Sequence, residues 1–277
     1  MTTGMTTGMI TAMTRMARLA AVTLCVAVTT GHAAAQAADS GKSARLLVVT
    51  VTTGFRHASI NTAEPVLEQL GRERGLYHLD YLRMPEGRPS QPKSPKRAEG
   101  VSDADWKQQE EAFKAAQEQF GAADAVWQQG LKEQFAKAFA PASLAQFDGV
   151  MFASTTGELP IPDLGAFLDW IKSGKAFIGF HAATDTLKSS DAYCDMIGGH
   201  FAGHPWNGSG QHAFVVHDPG HRVAAMFPAR FRWQDEIYQY DQRYKPENLR
   251  VLVSLEMQAS SPKEPWHVPV SWARRCV

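Results

Sequence analysis

A histidine closes the apolar run Phe177-Ile178-Gly179-Phe180-His181, and the small and polar residues Ala182-Ala183-Thr184-Asp185-Thr186 follow it. An imidazole titrates near neutral pH, so it can move a proton, ligate a metal or donate to a hydroxyl. Gly179-Phe180-His181-Ala182-Ala183 has the small-x-nucleophile-x-small outline of a nucleophile elbow, with imidazole in place of Ser or Cys. The bland alternative is a histidine satisfied by its neighbours.

Other groups of the same chemical kind recur along the chain. His57 ends Gly54-Phe55-Arg56-His57, where Arg56 is a candidate donor to an anion or hydroxyl, or else the partner of a surface carboxylate. His200 and His204 are four apart, the spacing that puts two imidazoles on one helical face for zinc. Gly198, Gly199, Gly203 and Pro205 argue against a regular helix there, which leaves His204 alone as a candidate for lining the site. Asp235 and Glu236 are adjacent, so on a strand they face opposite sides and make no paired-carboxylate site by themselves. Glu236 is the candidate to orient a histidine or to share acid/base work with His181. Asp185 either belongs to the site or caps the helix after the elbow, and the cap is favoured. Trp206, Tyr238 and Tyr240 have faces that stack on sugar rings or pack a core. His57, His181 and His204 are the candidate ligands should a divalent metal be bound.

These groups need elements to hold them. Leu46-Leu47-Val48-Val49-Thr50-Val51 reads as a buried strand, and Ser59 is a plausible N-cap for a helix whose apolar residues are Ala63, Val66, Leu67 and Leu70. That helix should end near Gly71 or Gly75, and residues 77–82 alternate as a second strand, a β-α-β beginning that favours a parallel sheet. Residues 84–99 are a Pro-, Gly- and charge-rich loop. Residues 103–139 space Trp106, Phe113, Phe120, Trp127, Leu131 and Phe135 for one stripe of one or two amphipathic helices, more naturally a packing face than a ligand box. Residues 147–153 form the next strand, residues 163–172 a helix stopped by Gly174, and the run into His181 a central strand buried on both faces. Ligands in such sheets sit beyond the carboxyl ends of strands, where His181 falls. Residues 211–216 and 249–255 read as later strands, with no repeat and no second domain.

The chain has 277 residues, 44% hydrophobic, with 28 basic and 28 acidic side chains. That suits one sizeable core and argues against nucleic acid or an anionic membrane as main partner. Arg15 and Arg18, the apolar run Leu19–Val28 and Ala35-Gln36-Ala37 have the three-part pattern of a secretory signal peptide over residues 1–37. The run is too short to span a bilayer comfortably. The expectation is export to the periplasm or beyond, with residues 38–277 as the mature domain and no stable membrane insertion after cleavage. Cys194 and Cys276 would remain, which permits one disulfide and demands none.

The motifs G-F-R-H, T-T-G, G-x-H-A-A-x-D, G-G-x-F-x-x-H-P-W and D-E-I-Y-Q occur in that order, at Gly54, Thr155, Gly179, Gly198 and Asp235. With them the chain resembles the ThuA-like (trehalose utilisation) family of the class I glutamine amidotransferase-like superfamily. The resemblance implies a three-layer α/β fold, a flavodoxin-like mostly parallel sheet flanked by helices, and a link to sugar metabolism. Amidotransferases carry a nucleophilic Cys at the elbow, and His181 in its place makes glutamine hydrolysis an unsuitable reading. Residues 84–140 are longer and more helical than the family's usual connection. The end, Ala273-Arg274-Arg275-Cys276-Val277, comes early relative to a family in which a Gly-rich strand generally follows.

The expectation is a protein acting on a small carbohydrate, a keto-disaccharide or glycoside, by hydrolase or lyase chemistry. His181 and Glu236 would transfer protons, while Arg56, His57, Thr155, Thr156, Asp185, His204, Trp206 and Tyr238 would hold the sugar or a divalent metal. The alternatives are a carbohydrate-binding module without turnover and a metal-dependent hydrolase using His57, His181 and His204. Oligomeric state is not legible.

Overall fold

The structure, a computed structural model, describes residues 43–260 and 267–275, so the leader reading of residues 1–37 and any pairing of Cys276 lie outside the described residues. From Ser43 onward the chain forms one compact unit.

Its frame is a parallel sheet of β1 (Ala44–Val49), β2 (Tyr77–Leu82), β3 (Gly149–Ala153) and β4 (Ala176–Phe180) in the order β2-β1-β3-β4. Successive side chains of a strand point to opposite faces, and β1 and β3 are apolar in both registers. Val48, Met151 and Ala153 face one way, with Leu67 of α1 (Ile60–Arg74) packed against them. Leu47, Val49, Val150 and Phe152 face the other way and meet α2 (Asp103–Ala138), α3 (Pro141–Leu144), α4 (Leu164–Lys172) and α5 (Asp191–Ile197). Helices on both faces are what the doubly apolar strands require, and the α/β architecture is the expected one.

Local signals mostly act as their chemistry suggests. Asp163 accepts from the Ala166 amide at the start of α4, and Gly75 ends α1 at φ +62°. Ser59 occupies the N-cap position of α1, but its backbone is helical and its hydroxyl makes no cap bond. Residues 103–138 form a single helix of 36 residues, and only Trp127, Leu131 and Phe135 of its stripe are fully buried.

Two features differ from expectation. β4 is an edge strand, with Ile178 38% and Phe180 49% exposed, rather than a central one. An unbroken apolar run is compatible with either place, because only strand order decides whether a second neighbour covers it. The later strands also leave the parallel sheet. β5 (Phe201–Trp206) pairs with β8 (Ile237–Tyr240), while β6 (Gln211–Val216), β7 (Arg230–Gln234), β9 (Arg250–Leu255) and β10 (Pro269–Ala273) form an antiparallel sheet ordered β10-β9-β6-β7. These strands bury a second core of Trp206, Phe214, Ile237, Leu252, Val253 and Leu255.

His200, between α5 and β5, is fully buried, and neither ring nitrogen has a hydrogen-bond partner among the described residues. Burial is the main force lowering its pKa below the usual 6.5, and Arg243 and Lys188 add to it against Asp241 and Asp191. The folded state therefore refuses a proton that the unfolded chain accepts, so stability is full above about pH 6.5 and is lost as pH falls through the folded pKa. His57 and His267 are lowered too and act in the same direction. The urea midpoint should drop between pH 7.5 and 5.5, and His200→Phe should flatten the drop. An equal drop in that variant would remove His200 as a cause.

Candidate active site at the strand ends

The carboxyl ends of β1, β3 and β4 are joined by hydrogen bonds that set the positions of the loops. Past β1, Thr53 N donates to Thr156 O at 2.9 Å, and Thr156 Oγ1 donates to Phe55 O at 2.7 Å. Gly157 is required there: its φ is +76°, and a Cβ would lie 2.4 Å from Thr53 Oγ1. Thr155 Oγ1 and Thr186 Oγ1 are 2.8 Å apart and buried, which ties the end of β3 to the segment beyond β4. Arg56 Nη1 donates to Thr50 O at 3.0 Å, so the guanidinium holds the turn that presents His57. Arg88, from the 84–140 segment, lies over the Trp127 ring at 5.2 Å and reaches Thr53 O at 3.3 Å.

His181 is the first residue of a 3₁₀ turn, His181–Asp185, and has φ +53°. Ser154, at the end of β3, has φ +55°. Left-handed backbone at two non-glycine residues in contact is strain of a kind that clusters at functional sites. Ser154 Oγ is 3.3 Å from His181 Nδ1, and His181 Nε2 is 3.0 Å from Glu236 Oε1 and 3.1 Å from Tyr238 Oη. Since Nε2 carries at most one proton, it donates to the carboxylate, and Nδ1 accepts from the serine when the ring is neutral. The His57 ring centre is 4.4 Å from that of His181, and Phe55, 71% exposed, sets its ring 4.9 Å from His57.

The electrostatics follow from this packing. Burial pushes the Glu236 pKa up, but the bond and charge of His181, with help from His204 and Tyr238, outweigh it and leave the carboxyl below its usual range. Burial, then the His181 charge, lowers His57, while Glu236 and Asp185 oppose the shift. Tyr238 is driven far up, by burial and then by the Glu236 charge, so it is a hydrogen-bond donor and not a phenolate.

The structure thus brings together His57, His181, Glu236 and Tyr238. His57, His181 and Glu236 each present a donor atom within 4.8 Å of the others. His204 is exposed, with its ring 6.5 Å from that of Tyr238, so the trio that meets contains Glu236 where the sequence suggests His204. Asp185 pairs with Lys188 at 3.3 Å, and Ser190, not Asp185, caps α5. Thr155 and Thr156 spend their hydroxyls on internal bonds, and Trp206 is 2% exposed inside the second core. Tyr240 sits edge-on to Trp272 at 5.4 Å. Asp235 Oδ1 accepts from the Glu236 amide at 2.9 Å. The sequence alone assigns no role to Ser154 or Phe55, although Phe55 lies in G-F-R-H and Ser154 directly precedes T-T-G. Ser154 was legible only as the residue after a strand, and Phe55 only as an aromatic in a turn. Two hollows elsewhere, of about 490 Å³ beside Asp105 and Gln108 and 300 Å³ beside Asp191, Cys194 and Arg243, are lined by no histidine.

No helix among the described residues is long and apolar enough to cross a membrane. Among solved structures the chain is similar to a ThuA-like protein from Bacteroides uniformis ATCC 8492, at 16% identity and TM-score 0.52, over 86% of this chain and 81% of that one. It is also similar to a ThuA-like protein from Parabacteroides merdae ATCC 43184, at 14% identity and TM-score 0.51, over 84% and 75%. At such identity these neighbours speak for the fold alone. No curated protein matches. The profile of the trehalose utilisation family, ThuA, matches residues 45–277, nearly all of the described chain, and the protein belongs to that family.

Proposed function

We propose that this protein is an exported sugar-processing enzyme, a lyase or hydrolase whose substrate is a keto-disaccharide or keto-glycoside. The observation that supports the reading best is the His181–Glu236 pair at 3.0 Å, built from residues 55 apart at the exposed end of β4. A ketone acidifies the neighbouring C–H, so a positioned base can take that proton while the electron pair moves toward the carbonyl. In the elimination that follows, the C–O bond on the next carbon breaks, and the departing sugar oxygen needs the one proton the base removed. His181 and Glu236 have the chemistry to take and return it. Tyr238 holds the carboxylate in place, and His57 offers a neutral imidazole to a substrate hydroxyl or carbonyl. Phe55 adds an exposed apolar ring at the rim of the kind sugars stack on. Family membership supports the carbohydrate class.

Incubation of the purified protein with trehalose and with 3-keto-disaccharides, followed by product chromatography, tests the reading. Cleavage of a keto substrate is expected. Saturable sugar binding without product would make the protein a binding module instead.

A further inference from the structure

Two imidazoles and a carboxylate that turn toward one another need not be a hydrogen-bonded set only. His57, His181 and Glu236 each offer one ligand atom, and all three atoms lie within 4.8 Å of one another. The His181 ring is held from behind: Ser154 Oγ is 3.3 Å from Nδ1, which leaves Nε2 directed at the cluster. A second-shell bond to the far nitrogen is how proteins orient a metal-binding histidine. Both partners have left-handed backbone, φ +55° at Ser154 and +53° at His181, a conformation that persists only where the surroundings fix it. His57 is brought up on a separate loop, its turn fixed by Arg56 on Thr50 O and by Thr156 on Phe55 O. Ligands at about 2.0–2.1 Å in a tetrahedral shell stand about 3.3 Å apart. His181 Nε2 and Glu236 Oε1, at 3.0 Å, are already near that separation, and the His57 ligand atom lies within 4.8 Å of both.

We propose that His57, His181 and Glu236 form a three-ligand site for a divalent transition-metal ion of the zinc class. Two neutral nitrogens and one carboxylate oxygen suit borderline ions rather than calcium or magnesium, which prefer all-oxygen shells. Three protein ligands leave the solvent side open, as in catalytic rather than structural sites. Tyr238, with Oη 3.1 Å from His181 Nε2, adds a phenol oxygen beside the three ligands. This deepens the sugar-processing reading by naming what the same side chains hold. In the loaded protein the ion and its water, rather than the bare His181–Glu236 pair, would polarise the keto oxygen and handle the proton.

The test uses the untagged protein, stripped with a chelator and titrated with Zn²⁺ and then Co²⁺ by calorimetry and visible absorption. One ion per chain is expected, with the intense bands of low-coordinate cobalt. His57→Ala and Glu236→Gln should each weaken binding at least 10-fold, Ser154→Ala should weaken it less, and His204→Ala should leave it unchanged. Circular dichroism of each stripped variant separates loss of ligand from loss of fold, and the cobalt spectrum of the parent protein reports on the site without any variant. No saturable binding up to millimolar ion, or binding unaltered in both His57→Ala and Glu236→Gln, overturns the proposal. Weakening by His204→Ala to the same extent as by Glu236→Gln overturns the ligand set. Keto-sugar turnover undiminished by stripping would remove the ion from the chemistry and leave the enzyme. One bound ion with no turnover would do the reverse.

Discussion

Replacing His181 is expected to lower keto-sugar turnover by about 100- to 10,000-fold, the range over which positioned acid/base groups act. The loss should appear in kcat more than in KM, because the imidazole works on the developing charge, directly or through the ion it would hold, rather than on the resting sugar. His181→Ala alone leaves room for a structural explanation, since the position has φ +53°. His181→Asn answers it: asparagine tolerates left-handed backbone and keeps a polar group there, so the fold should survive while turnover does not. Glu236→Gln should give a loss of similar order. The double variant should lose little beyond either single one, because the two groups are in contact at 3.0 Å and act as a unit. Additive losses would show that they act separately. Full activity in folded His181→Asn would end the case for this site.

The largest stability effect is expected far from the chemistry. Phe152 is completely buried in β3, with Phe177, Tyr193 and Phe167 ring centres 5.2, 6.0 and 6.1 Å away. It joins the sheet to α4 and α5 at once. Phe152→Ala removes that apolar volume where neighbours held by two helices can collapse only partly, so it should cost about 3–5 kcal/mol. Much of a domain's net stability is of that size. Chemical denaturation checks it, with Phe152→Leu expected to lose clearly less. A loss under about 1 kcal/mol would mean the aromatic cluster is looser than its geometry implies.

The two expectations share a cause. Ser154 directly follows β3, two residues past Phe152, so the ring cluster that anchors the strand also holds the hydroxyl behind His181. A milder core variant such as Phe152→Leu should therefore loosen the site before it unfolds the chain.

Much of this arrangement was legible in the residues. β-branched and aliphatic runs at Leu46–Val49 and Val150–Ala153 are apolar in both registers, which only a sheet covered on two faces satisfies. Gly75 and Asp163 act through local backbone chemistry and need no distant partner to be understood. His181 at the end of such a strand was a site candidate for the same reason, and Glu236, of the adjacent Asp235 and Glu236, was the candidate to orient a histidine or share its acid/base work.

What the residues could not decide was company. The apolar run before His181 does not say whether it has one strand neighbour or two, and the structure puts it at an edge. The glycines around His200 and His204 already spoke against a shared helical face, but not against His204 as a ligand beside His57 and His181; in the structure His200 is buried and His204 lies outside the trio. Thr155 and Thr156 read as hydroxyls free for a ligand until the packing of three strand ends assigns them to one another's loops. Sequence alone determined the element types and the chemical identity of the reactive groups, because propensity, capping and alternation are short-range. Only the tertiary structure chose which of those groups meet, because contact between Ser154, His181 and Glu236 depends on strand order and on a loop that returns from a second sheet.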